Sequence, residues 1–165
     1  MSGTERAVPA PPAPVPDACV PDAPVPAGDY AAARIVGGLI FTAGMTPRSG
    51  GGVITAGILG AGLAVEDAAP LAALAAERAV EAGRAVARTA GRRLDSAVSM
   101  MVHIAATPRF TEHSRVADGA SARIRTLLAG PPPARTSVGV AGLPSGAAVE
   151  VTLVLSTVEQ GSAAA

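Results

Sequence analysis

The first apolar stretches of the chain have the short, alternating pattern that is typical of strands. Two such runs flank Gly37 and Gly38, which predicts a hairpin whose tight turn is made by the two glycines. Residues 48–52 are predicted to form a mobile loop before a third short strand. From Val65 the apolar spacing becomes helical, and a long alanine-rich helix is expected to end near Gly91. Its charged residues are expected to form a solvated face: Glu77, Arg78, Glu81, Arg84 and Arg88.

The second half of the chain predicts a strand, a helix and two further strands. Alternation over residues 96–106 indicates a strand with one apolar and one mixed face. The apolar face is expected to carry Val98, Met100, Val102 and Ile104. Thr111 is the expected N-cap of the second helix, which Gly130 and three prolines end. The order ββ(β)-α-β-α-β-β predicts a two-layer α/β domain, with both helices on one face of a mixed sheet.

The C-terminal part has the pattern of a β-hairpin, in which two alternating runs flank the turn sequence Leu143–Gly146. Its buried face is expected to hold Val138, Val140, Val149, Val151, Leu153 and Leu155. Successive side chains of a strand point to opposite faces, so Arg135, Ser137 and Glu150 are expected to point away from this core together. A guanidinium and a carboxylate then project from one rigid ribbon.

A guanidinium held on a strand suits one kind of ligand. Arg135 stays charged and presents a planar fork that grips a carboxylate through two parallel hydrogen bonds, which lysine does not offer. An arginine at the start of a strand is also commonly a partner in a surface ion pair, so that alternative stays open. The arrangement suits a small carboxylated substrate, with Arg135 as its binding group.

Composition and charge narrow the range of functions. The chain has 165 residues, no net charge and 13 basic residues, all of them arginine. No basic cluster exceeds the pair Arg92-Arg93, so nucleic acid is not an expected partner. The lack of lysine excludes a lysine Schiff base and a P-loop. Neither a secretory signal nor a long uninterrupted apolar run is present, so no membrane partner is expected.

Cysteine and histidine usage predicts chemistry without a metal or cofactor. Cys19 is the single cysteine, so it supplies neither a disulfide framework nor a metal cluster, and a cytoplasmic location is expected. His103 and His113 do not have the spacing of a metal-binding pair. Aromatic residues make up 2% of the chain, so Ala, Val, Leu and Ile must build the core. Oligomerisation would help to stabilise such a core.

The composition shifts along the chain predict one domain between two tails. Residues 1–27 hold most of the prolines and are predicted to be a disordered Pro/Ala-rich leader. Residues 28–159 are the predicted domain, a length that suits a single hydrophobic core. Residues 160–165 are predicted to be a flexible tail.

Residues 28–158 resemble the Rid/YjgF family, most specifically at their C-terminal end. The run Pro133–Thr136, the Leu143-Pro144 turn and the strand Val149–Val151 match the family's signature, and the earlier segments look like its endoribonuclease-like or chorismate mutase-like branch. The resemblance implies a Rid/chorismate mutase-like fold and a homotrimer with active sites between subunits. It also implies cofactor-free hydrolysis of reactive 2-imino or 2-enamino acids to 2-oxo acids and ammonia.

The same resemblance suggests a role for individual residues. Arg135 would hold the substrate carboxylate, Ser137 takes the small polar position beyond it, and Glu150 would orient or activate water. Tyr30 matches the family's early tyrosine, and Asp118 stands beside the pocket where many relatives have asparagine. The segment Ala43–Met45 replaces the common Ser-Gly-Gln. These two differences from the family pattern predict that the substrate differs from that of better known members.

Several alternatives stay open at this point. Glu150 is either catalytic or an exposed strand residue that pairs with an arginine of a neighbouring subunit, and Tyr30 is either a site residue or an anchor for the first strand. His103 is expected to line the interface, with general acid/base catalysis as the alternative. The enzyme is expected to serve a tailoring step in a biosynthetic pathway. The other hypotheses are a non-catalytic ligand-binding or regulatory trimer and a ribonuclease, which the neutral charge disfavours.

Overall fold

The computed structural model describes residues 28–49 and 52–161 of the chain. The predicted disordered leader, residues 1–27, lies outside the described residues, and so does the tail beyond Gly161. The interpretations of the leader and the tail therefore stay predictions. Residues 50 and 51 lie outside the described residues as well, but the residues on either side of them, Arg48–Ser49 and Gly52–Val53, form a short antiparallel strand pair, so the predicted mobile loop is wrong in part.

The described elements form a mixed sheet covered by two helices. They are β1 (Ala33–Val36), β2 (Leu39–Thr42), β3 (Arg48–Ser49), β4 (Gly52–Val53), α1 (Val65–Thr89), β5 (Arg92–Ala105), α2 (His113–Leu127), β6 (Ala134–Val140) and β7 (Val149–Glu159). The main sheet has the order β1-β2-β7-β5-β6, and β3 pairs with β4 separately. β5 and β6 run parallel, whereas the other neighbours run antiparallel. Both helices pack on one face of this sheet, so the predicted fold class is confirmed.

The first hairpin forms as predicted, with Val36 of β1 paired to Leu39 of β2. Gly37 and Gly38 make the turn with φ angles of 57° and 84°. Both values lie in the left-handed region that glycine enters without a steric penalty, and such turns match the twist of the flanking strands.

The predicted C-terminal hairpin is wrong, because β6 and β7 are not neighbours. β5 lies between them and pairs with β6 on one side and with β7 on the other. The cause is α2, which carries the chain from β5 back to a parallel β6, as a crossover helix does. The segment between β6 and β7, which includes the short 3-10 turn Pro144–Gly146, must then cross about 10 Å over the end of β5.

One face of the sheet forms the core with the helices. It includes the predicted residues of β7, Val149, Val151, Leu153 and Leu155, and those of β5, Met100, Val102 and Ile104, all at most 1% exposed. The prediction was wrong for β6. Val138 pairs with His103 on the opposite face and is 40% exposed, and Val140 follows the same alternation. The helix side of β6 instead carries small residues such as Gly139, because the His113 side chain of α2 lies against it.

Two further predictions fail for local reasons. Val98 is 45% exposed rather than buried, because the register between β5 and β7 shifts between Ala97 and Ser99. Thr111 is not the cap of α2: the helix begins at His113, and Glu112 holds the N-cap position without a side-chain hydrogen bond.

The two helices pack very closely on each other. A Cβ atom on Gly119 of α2 would collide with the backbone carbonyl of Ala69 in α1. The supposedly solvated face of α1 takes part in this packing, so that prediction is wrong in part. Glu77 accepts two hydrogen bonds from Arg123 of α2, at 2.6 and 3.1 Å, and Arg84 donates to the carbonyl of Leu127 at 2.9 Å. Within the described residues, neither helix combines the length and apolarity that a membrane crossing requires.

Candidate functional site

Arg135 lies on β6 at the edge of the sheet, on the side that α2 covers. It pairs with the buried Met100 of β5, which points toward the helices. Its Nη1 donates hydrogen bonds to Asp118 Oδ1 at 2.7 Å and to Ser121 Oγ at 2.9 Å. Asp118 and Ser121 lie one turn apart on the same face of α2. The helix therefore fixes the guanidinium at its Nη1 end.

The edge of this guanidinium formed by Nε and Nη2 has hydrogen-bond donors that are available to a ligand. No hydrogen bond from its Nε or Nη2 is found among the described residues, and the Arg135 side chain is 24% exposed. These two nitrogens form the planar fork that matches a carboxylate. An oriented arginine with one open edge can therefore bind a single small anion.

Ser137 follows Arg135 on the same face of β6, where it pairs with Val102 of β5. It is half-buried, and its hydroxyl has no hydrogen-bond partner in the described part of the chain. No histidine or carboxylate relay contacts it there, so the serine is suited to polar contact with a ligand rather than to nucleophilic attack.

Glu150 lies on the opposite face of the sheet, away from the two helices. It pairs with His103 of β5, and its Oε1 is 3.9 Å from His103 Nδ1, an ion-pair distance rather than a hydrogen bond. The exposed fractions of the His103 and Glu150 side chains are 28% and 19%. Within the described residues, the Nδ1 atom of His103 is buried without a hydrogen-bond partner. A carboxylate and an imidazole thus face each other in a partly buried place, and these are side chains suited to general acid/base chemistry.

The segment after β2 covers Glu150. A Cβ atom on Gly44 would overlap the Glu150 carboxyl group, so a glycine is required for this approach. Met45, which departs from the family pattern, exchanges backbone hydrogen bonds with Val151 at 2.8 and 2.9 Å. Its side chain is 7% exposed and belongs to the core. The methionine therefore holds the segment in place.

Arg135 and Glu150 do not share a pocket within one chain, contrary to the prediction that both point away from the core together. Arg135 pairs with Met100 on the helix side, whereas Glu150 pairs with His103 on the open side. They also lie on opposite sides of β5 in the sheet. The two groups can act on one ligand only if a further surface joins them.

Tyr30 stands apart from both groups. Its ring lies against Gly28, and the residue is 55% exposed. Two residues later, the Ala32 carbonyl accepts a hydrogen bond from the Ala43 amide at 2.8 Å. The tyrosine segment therefore runs beside the segment that covers Glu150, rather than beside Arg135.

Ser121 is a contact of the candidate site that the sequence did not single out. Its spacing from Asp118 places both on one helix face, and that spacing was the available signal. The pairing of His103 with Glu150 was also missed, because it depends on the register between β5 and β7.

A cavity of about 370 Å³ lies at the C-terminal ends of the two helices, away from these residues. Four arginines line it together with leucines and alanines: Arg84, Arg88, Arg92 and Arg93. Helix C-termini carry partial negative charge and unpaired carbonyls, and Arg84 donates to one of them on Leu127. Arg84 thus has a structural role, and this cavity lies apart from the candidate site.

In the described ranges, no group of three or more His, Cys, Asp or Glu side chains is arranged to hold a metal ion. The chemistry available to these residues consists of anion binding by Arg135 and proton exchange at His103 and Glu150.

Comparison with known proteins agrees with the fold. The sequence model of the endoribonuclease L-PSP family matches residues 20–156. No curated protein matches the chain. A crystal structure of a protein of unknown function from Agrobacterium tumefaciens is 29% identical, with a TM-score of 0.72, covering 80% of this chain and 85% of that one.

Two more distant structures have the same fold. A candidate endoribonuclease from Shewanella oneidensis is 21% identical, with a TM-score of 0.71. The match covers 82% of this chain and 90% of that chain. The YjgF gene product of E. coli is 20% identical with a TM-score of 0.56, at 82% and 93% coverage.

Proposed function

Because the chain belongs to the endoribonuclease L-PSP family, which is also the Rid/YjgF family, we propose that it hydrolyses reactive 2-imino or 2-enamino acids to 2-oxo acids and ammonia. One observation carries this proposal above the others. The Arg135 guanidinium is held through Nη1 by Asp118 and Ser121, and its other edge is left open to a small carboxylate.

The reaction requires the protein to position the substrate and water and to transfer protons. The imine carbon is already electrophilic, so water adds to it and forms a carbinolamine. The carbon–nitrogen bond then breaks, ammonia leaves, and the carbonyl group of the 2-oxo acid forms. Arg135 anchors the substrate, while Glu150 accepts a proton from the attacking water and His103 returns one to the leaving nitrogen. No redox change occurs, and no cofactor is needed for the balance.

The proposed site needs a second copy of the chain, because Arg135 and Glu150 lie on opposite faces of one sheet. Two surfaces that no other described element covers support such an assembly, the outer edge of β6 and much of the sheet face away from the helices. That face exposes large apolar side chains: Phe41 at 47%, Met101 at 42% and Val138 at 40%. A free strand edge and an apolar face are both surfaces that proteins cover. In the proposed homotrimer, the Glu150 face of one subunit meets the Arg135 edge of its neighbour.

The direct test is imine hydrolysis by the full chain. An amino-acid oxidase generates 2-iminopropanoate from alanine in situ, and the formation of ammonia is followed with and without the protein. Acceleration by the wild type is expected, with a loss of about 100-fold in Arg135→Ala, because the charged anchor of the substrate is removed. Arg125→Ala, at an exposed position of α2, is the matched control and is expected to keep the full rate.

The outcomes of this test separate the hypotheses. No acceleration by the wild type contradicts the enzyme, and full activity in Arg135→Ala contradicts the carboxylate anchor. Binding of small carboxylates without turnover indicates a ligand-binding or regulatory trimer. The mass of the native particle tests the trimer independently.

A further inference from the structure

Asp118 gives the candidate anion site a negative charge of its own. Its Oδ1 lies 2.7 Å from Arg135 Nη1, and the two charges cancel in their formal sum. Arginine sites that bind simple carboxylates normally carry a net positive charge, because no negative side chain then repels the ligand. A carboxylate on the open edge of Arg135 meets the Asp118 carboxylate across the same guanidinium.

We infer that Asp118 makes this site selective for zwitterions, ligands that carry a cationic nitrogen next to the carboxylate. The inference rests on Arg135 as the carboxylate anchor of the proposed function. The Asp118 side chain is 65% exposed, and no hydrogen bond to its Oδ2 is found among the described residues. The uncompensated part of this negative charge repels a bound carboxylate, and a cationic nitrogen beside that carboxylate offsets the repulsion.

This selectivity distinguishes the substrate of the proposed reaction from its product. A protonated 2-imino acid carries an iminium nitrogen, which makes its carbon more electrophilic and is attracted by the charge of Asp118. Addition of water and cleavage of the carbon–nitrogen bond convert the iminium carboxylate into a 2-oxo carboxylate and ammonium. The 2-oxo product has lost the cation and keeps only the carboxylate, which Asp118 repels. The same aspartate thus favours the substrate and disfavours the product.

A purely structural role for Asp118 makes a different prediction. Asparagine at position 118 keeps an oxygen that can accept the hydrogen bond from Arg135 Nη1, but it removes the charge. If Asp118 only orients the guanidinium, Asp118→Asn leaves the preference between ligands unchanged. If Asp118 sets selectivity, the substitution weakens the binding of zwitterions and strengthens that of simple carboxylates.

Alanine and pyruvate form a matched pair of probes, since they differ mainly in the cationic nitrogen. Calorimetric titration of the full-length protein is expected to show that the wild type binds alanine about tenfold more tightly than pyruvate. Asp118→Asn is expected to abolish or reverse this preference. Asp67→Asn, which removes an exposed carboxylate from the first turn of α1, is expected to keep it.

Three results contradict the inference: a wild type that prefers pyruvate, an unchanged preference in Asp118→Asn, or a wild type that does not bind alanine. The proposed reaction is tested by a different result from the one that tests the zwitterion site. A preference for alanine without imine hydrolysis keeps the zwitterion site and removes the enzyme. Imine hydrolysis with an unaltered preference in Asp118→Asn keeps the enzyme and removes the role of Asp118.

Discussion

Gly44 lies so close to Glu150 that even a Cβ atom on the glycine would overlap the glutamate carboxyl group. The glycine belongs to the segment that Met45 ties to β7 through two backbone hydrogen bonds with Val151, at 2.8 and 2.9 Å. The backbone is thus held in place, and the Glu150 side chain is the part that must yield to any larger residue.

Gly44→Ala is therefore expected to displace the Glu150 carboxyl group and to lower kcat for imine hydrolysis by about tenfold or more, with a small effect on KM. The flexible glutamate side chain can move, so the fold is retained. Steady-state kinetics check this expectation. Gly142→Ala is the control, because nothing lies within 4 Å of a Cβ atom there. Equal kcat values for Gly44→Ala and the wild type contradict the assigned position of Glu150.

His103 is expected to exchange protons with the leaving nitrogen. His103→Gln keeps a polar side chain next to Glu150 but cannot titrate, so kcat is expected to fall about 10- to 100-fold while alanine binding is unchanged. Steady-state kinetics of imine hydrolysis and calorimetric titration with alanine are the two readouts, because a merely structural change at position 103 would alter both. A variant that keeps the wild-type kcat shows that His103 only lines the interface.

Gly119→Ala is expected to be among the most damaging small substitutions in the fold. The added methyl group meets the backbone carbonyl of Ala69 in α1, and neither helix backbone can move without losing core contacts. Overpacking of this kind costs about 3 kcal/mol, more than the helix propensity of alanine returns. Urea unfolding followed by circular dichroism measures the loss. A stability equal to that of Gly142→Ala would mean that the helices are further apart.

Glu77→Gln breaks the ion pair that joins the helices, and its effect on stability is expected to be smaller than that of Gly119→Ala. The hydrogen bond and charge of Glu77 raise the pKa of Arg123. A raised pKa of a base contributes stability that is present below its unfolded pKa and is lost as the pH rises through its folded pKa. Since both values lie in the strongly alkaline range, the contribution is expected to stay constant between about pH 6 and 10. Thermal unfolding at several pH values checks this, and a difference between variant and wild type that changes across this range contradicts it.

The elements of the fold were predictable from sequence because their patterns are local. The helical spacing that begins at Val65 marks the first residue of α1, and the two glycines at 37 and 38 make the turn of the first hairpin. The core face of β7 also follows from alternation, since Leu153 and Leu155 are fully buried. These features depend on residues that are neighbours along the chain.

The partners of β6 and β7 were not predictable in the same way. Alternation shows which residues of one strand share a face. Which face of β6 lies on the same side of the sheet as a given face of β7 is set by the pairing of both strands with β5. Arg135 and Glu150 therefore looked like neighbours on one face, although pairing with Met100 and His103 places them on opposite faces. The Asp118 contact to Arg135 likewise depends on where α2 packs, and not on any local pattern.

Arg135 of one subunit and Glu150 of another are proposed to complete each site, and subunit mixing tests this arrangement most directly. Arg135→Ala and Glu150→Gln are each expected to be inactive alone. Co-expressed in equal amounts, they form mixed trimers in which roughly a quarter of the sites combine an intact Arg135 with an intact Glu150. Imine hydrolysis at roughly a quarter of the wild-type rate is the predicted result. A mixture as inactive as either variant would contradict a site shared between subunits.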